Sequence, residues 1–185
     1  MFLQEPYYII VLMFHIISSM MAVGAVTITD YFHLSGLKNR KLERKLFSVY
    51  PLLTKIIIYT IIIFTLSGIL LVINNPQIIE RSLFKLKMVL VVIVIINGIF
   101  LNKKVSPDFE KCALDGKKYC KKETLLYSSI AGAISIVTWY SILIIAFTKK
   151  YGYSVPQFLK YYALALIIVF FIALYIQNKS KPWKK

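Results

Sequence analysis

Five long runs of apolar residues, each free of Asp, Glu, Lys and Arg, organise this chain: Tyr7–Thr29, Ile56–Ile79, Met88–Asn102, Thr124–Thr148 and Tyr161–Asn178. A helix rises about 1.5 Å per residue, so about 20 apolar residues cross the roughly 30 Å hydrocarbon layer of a bilayer. Four runs reach that length or nearly so. The third does so when Ser82–Lys87 continues the helix and Lys85 and Lys87 send their amines to the headgroups. The pattern predicts an all-α bundle of five transmembrane helices, about 7–34, 52–75, 82–103, 124–149 and 156–178, forming one domain over residues 1–185.

Between the runs lie punctuation and charge. Asn74-Asn75-Pro76 ends the second helix, and Gly152 with Pro156 separates the fourth from the fifth. Ser106-Pro107-Asp108 and Asp115-Gly116 read as turns in the third connection. In the first connection, Leu42, Leu46 and Phe47 alternate with basic residues and predict an amphipathic turn or two on a membrane surface. There is no internal repeat, no low-complexity tract and no soluble domain. The opening MFLQEPYY has one Glu and no basic residue, so the first span reads as retained rather than as a cleaved signal.

Composition supports the same class: 58% hydrophobic residues, 17% charged and a mean hydropathy of +0.70. The net charge of +15 raises the question of nucleic acid. Its distribution answers it, because 17 of the 23 basic residues fall in the first and third connections and the tail, and six in the alternate set. The positive-inside rule then predicts an outside amino terminus and a cytoplasmic carboxyl terminus, in a bacterial-type inner membrane. The remaining basic character suits anionic lipid headgroups, and no nucleic-acid partner is needed.

The chemistry concentrates on the first span. At 100° per residue, His15, Ser18, Ser19, Ala22, Ala25, Val26, Thr29 and His33 share one face, while Ile10, Ile17, Met21 and Ile28 share the other. Small residues admit a close helix neighbour, and ionisable groups inside a span face the bundle or a wet cavity. This stripe is therefore expected to face inward. The two histidines lie 18 residues apart. They share an azimuth but stand roughly 27 Å apart along the axis, too far to hold one metal or one haem iron together.

Counted from the helix ends, the depth of His15 is shared by Ser67 and Gly68, by Met88 with Lys87 next to it, by Trp139 and Tyr140, and by Leu164 and Ala165. Such a layer offers an axial nitrogen, aromatic walls and a cation for a propionate or carbonyl, as a porphyrin or quinone requires. The alternative is that His15 bonds to Tyr140 or to a backbone carbonyl and fastens helices together. Trp139 and Tyr140 can likewise be packing residues that hydrogen-bond a facing Ser. Asn97 is expected to bond across to another helix. Asp30 and His33 could pair at the cytoplasmic rim, or Asp30 could neutralise Lys38 and Arg40. Cys112 and Cys120 read as free thiols rather than a zinc or redox site.

FHIISSMMAVGAV, with a histidine near the outer end of the first helix and Gly24 in a small-residue stretch, resembles the opening of HemJ-type protoporphyrinogen oxidases and the related copper-resistance D-type membrane proteins. FKLKMVLVVIVIING (Phe84–Gly98) is similar to the Lys-Leu pair that opens their third helix, through Lys85, Leu86 and Lys87. The resemblance implies haem b, with His15 as axial ligand and Lys87 or Lys85 as the helix-3 lysine. Asn97-Gly98 stands where that family carries Tyr-His, and ALALIIVFFIALYIQNKSKPWKK has no counterpart to its carboxyl-terminal Arg/Asn/Glu signature.

The sequence thus supports a membrane bundle with a haem- or quinone-sized site at His15, handling redox chemistry or porphyrin. An oxidation there needs an electron exit through a partner protein or membrane quinone, and no particular enzymatic activity follows from the residues. A second reading is a non-enzymatic subunit that packs against another membrane protein or a second copy, through Ser128-x-x-x-Gly132 and Ala131-x-x-x-Ser135. A small transporter is the third, disfavoured by the lack of broken helices or paired midplane carboxylates.

Overall fold

The computed structural model describes residues 5–39, 48–108, 122–148 and 154–179. Every regular element there is helical: α1 Glu5–Asn39, α2 Tyr50–Asn74, α3 Ser82–Phe100, α4 Lys122–Thr148 and α5 Val155–Lys179. Five helices are long and apolar enough to cross a membrane, the third through its extension to Asp108. α1 begins two residues before and ends five residues after the range expected from hydropathy.

Local chemistry sets several boundaries. Pro51 stands in the first turn of α2, where its missing N–H costs nothing. At the other end the Asn75 N–H reaches back to the carbonyls of Leu71 and Val72, both at 3.1 Å, before Pro76 opens a 3₁₀ turn through Glu80. Ser154 and Gln157 cap α5 reciprocally: the Ser154 N–H donates to Gln157 Oε1 at 3.1 Å, and the Gln157 N–H to Ser154 Oγ at 3.5 Å.

One expected turn is absent. Ser106-Pro107-Asp108 is helical, reached through a π-helical turn over Leu101–Val105. Pro107 has no N–H for the carbonyl of Lys103 and its ring would crowd that oxygen, so a wider turn just upstream lets the helix continue. The amphipathic reading of Leu42, Leu46 and Phe47, the Asp115-Gly116 turn and both cysteines lie outside the described residues.

α4 is the central helix. Of its most apolar stretch 56% is buried, against 6% for α5 at the periphery. α1 packs along α2 and also meets α4 and α5, while α3 packs on α4. Ala22, Val23, Phe64, Leu90, Val94, Trp139 and Ile142 form one core cluster across α1–α4. Small polar residues let α4 sit among its neighbours, and each interface carries a hydrogen bond. Thr138 Oγ1 and Tyr162 OH are 2.8 Å apart, Ser129 Oγ donates to Gln177 Oε1 at 3.1 Å, and Asn97 Nδ2 donates to the Ala131 carbonyl at 2.9 Å. Asn97 thus makes the interhelical bond its position called for.

The outer surface is apolar almost throughout, with Ile10, Met13, Ile17, Ile63, Ile96, Ile168 and Phe171 among the exposed side chains. Water would not tolerate that much exposed hydrocarbon on a stable monomer. Five such helices, their backbone bonds satisfied internally, suit a multi-pass membrane protein.

Candidate functional site

The small and polar stripe of α1 faces inward. Ser18, Ser19, Ala22, Ala25 and Val26 are buried, whereas Ile10, Ile17, Met21 and Ile28 are each about half exposed. His15 heads this stripe and its ring lies against α2. The imidazole stacks on Phe64 with centroids 4.3 Å apart and planes inclined by 18°. Its close approach depends on Gly68, where a Cβ would stand 3.2 Å from His15 Cε1.

The hydrogen bonds fix the tautomer. His15 Nδ1 lies 3.0 Å from the Phe64 carbonyl oxygen and 3.1 Å from Ser67 Oγ. The carbonyl can only accept, and Ser67 spends its own proton on the Ile63 carbonyl at 2.7 Å. Nδ1 therefore carries the hydrogen. In the neutral ring Nε2 then presents a lone pair, and the Lys87 amine stands 3.4 Å from it. That amine also lies over the Phe64 ring, 4.9 Å from its centroid. His15, Phe64, Ser67 and Lys87 thus join α1, α2 and α3 at one level.

Compared with known protein families, curated proteins and solved structures, the chain matches none. What the site can do rests on its own geometry.

Of the residues expected around His15, Ser67, Gly68 and Lys87 are at the ring. Met88 is 47% exposed and faces away, since it follows Lys87 by 100° around α3. Tyr140 OH lies 3.1 Å from Thr27 Oγ1, twelve residues further along α1 than His15. Trp139 is buried in the core cluster below. The backbone of His33 belongs to α1, and its side chain lies outside the described residues. The small residues of α4 proposed as an outer contact face are used within the chain, for Ser128, Ala131 and Ser135 are all buried.

A haem iron needs one or two axial ligands, and a ligating histidine ordinarily anchors its other nitrogen on a carbonyl or carboxylate. His15 has half of that arrangement: Nδ1 is anchored on the Phe64 carbonyl, while Nε2, the nitrogen that would ligate, faces the Lys87 amine at 3.4 Å. Lys87 supplies the cation a propionate or quinone carbonyl would meet, but ligation at Nε2 would displace its amine from the ring. Among the described residues, no three His, Cys, Asp or Glu side chains converge as a bare metal ion would require.

Sequence reasoning missed a second polar centre. Asp30, at the other end of the α1 stripe, and Tyr50, the first residue of α2, line a cavity of about 410 Å³ bounded by α1, α2, α3 and α4. The backbones of α2 and α3 do not approach closely along their lengths. At the His15 level Lys87 and Phe64 bridge that gap, and towards the other end it opens into this cavity. Two residues singled out from the sequence line it, Asp30 as an acid on an inward-facing stripe and Asn97 on α3; the rest of the wall comes from distant segments.

Proposed function

We propose that this chain is an inner-membrane protein, amino terminus outside and carboxyl terminus cytoplasmic, that handles a redox-active or porphyrin-type lipophile at His15 in the outer half of the bilayer. The observation that carries the reading is the inward imidazole with Nδ1 fixed on the Phe64 carbonyl and Nε2 turned to the Lys87 amine. An imidazole within a span is costly unless bonded or ligated, which gives such positions a functional bias. Haem b is the favoured ligand; His15 would hold it through its imidazole and Lys87 would supply the cation for its carboxylates. When bound it would supply one-electron chemistry, and a quinone is the second candidate. Electrons would leave through a membrane quinone or a partner protein.

The excess of basic residues in the first and third connections and the tail supports the orientation. The reading is tested by the absorption spectrum of protein purified in mild detergent from haem-supplied cells. A Soret band is expected in the wild type and not in His15→Ala, whereas colourless wild-type protein argues against haem.

A second reading has its own support. The Lys87 amine meets Nε2, so the imidazole is already bonded at both nitrogens and can serve as a strut for a non-enzymatic membrane subunit. On that reading His15→Ala lowers stability and changes no spectrum.

A further inference from the structure

The cavity between α2 and α3 lies away from His15 and is not used by the function proposed above. Its walls divide by chemistry. Ile58 and Ile62 of α2 with Ile95 of α3 give a mainly apolar wall, interrupted by Asn97 and Ser135 and shared with Trp139. At the opposite end Asp30, Asn102, Lys103 and Ser106 line the same space. Asp30 Oδ2 is buried with no hydrogen-bond partner among the described residues, and Tyr50 lines the same end of the cavity. A buried polar oxygen left unbonded is costly, so this end is built for something that donates to it.

We infer that the cleft between α2 and α3 binds an aminophospholipid, its ammonium on Asp30, its phosphate at Lys103 and Asn102, and one acyl chain along the isoleucines toward Trp139. Charge complementarity selects the occupant. A head bearing only a cation would leave Lys103 facing it, and a head bearing only an anion would oppose Asp30. A zwitterionic head with N–H donors meets both. The separation of α2 from α3 gives a lateral path from one leaflet, and the cavity has room for one chain rather than a whole lipid. The second chain would remain in the bilayer.

Trp139 is a built-in reporter, because the only other tryptophan is Trp183 in the tail. The full chain carrying Trp183→Phe is reconstituted in vesicles with small, equal mole fractions of phosphatidylethanolamine, phosphatidylcholine or phosphatidylglycerol brominated on the acyl chains. Bromine quenches an indole it touches. Phosphatidylethanolamine is expected to quench Trp139 at roughly tenfold lower mole fraction than the other two, the order set by one charge-assisted hydrogen bond. Asp30→Asn should abolish the preference. Lys103→Gln should weaken all three alike and leave it intact. Equal quenching by the three lipids in the Trp183→Phe protein would overturn the inference, and that comparison needs no change at the cavity.

Discussion

A carbon added at Gly68 would stand 3.2 Å from Cε1 of His15, so a glycine on α2 makes the space that an imidazole on α1 occupies. Alanine in a helix interior gains about 1 kcal/mol over glycine, while overpacking costs about 1–3 kcal/mol. Gly68→Ala should therefore come out near neutral, with the ring moved by a few tenths of an ångström. Gly68→Val cannot be absorbed so cheaply and should lower stability by about 1–3 kcal/mol in detergent unfolding. Unchanged stability in the valine variant would mean the ring is not seated against α2.

His15 and Lys87 should be energetically coupled. Removing the imidazole leaves Lys87 without its nitrogen acceptor, and Lys87→Met leaves Nε2 without a donor. A double-mutant cycle with His15→Ala and Lys87→Met should give a coupling of about 0.5–1.5 kcal/mol. Additive effects would place the two side chains out of contact.

How far the sequence leads is visible in this same cluster. Straight helices make depth additive, so counting from the ends of the apolar runs places Ser67, Gly68 and Lys87 level with His15. Depth alone carries no azimuth for the partner helices, and Met88 lies on the wrong side of α3. Nor does it carry axial offset: Tyr140 meets Thr27 because α4 is displaced along α1. The wheel of α1 succeeds because one span holds both a polar and a lipid-like face. The Asp30 cavity was illegible, since it arises where α2 and α3 stay apart and no local pattern encodes a gap. The helical path through Pro107 was missed because a π turn leaves no residue signature of its own.

Asn97 should behave as an interhelical anchor. Its amide donates to the Ala131 carbonyl at 2.9 Å in a buried setting. Asn97→Ala should cost about 0.6 kcal/mol and at most about 1.7, the range measured for hydrogen bonds between membrane helices. Reversible unfolding in mixed micelles measures it, and a stabilised variant would contradict the packing of α3 on α4.

The proposed orientation has a direct readout in Cys112 and Cys120, the only cysteines, which both fall between α3 and α4. A membrane-impermeant maleimide should leave them unmodified in intact cells and label them once the membrane is permeabilised. Labelling of intact cells would invert the topology.

Titration of the purified, haem-free protein with haem b, followed at the Soret band, tests the His15 site most directly. Wild type should saturate at one haem per chain, and His15→Ala, its helical content verified by circular dichroism, should show no saturable binding. Equal titration curves for the two proteins, or no saturable binding by the wild type, would contradict the assignment of His15 as a ligand.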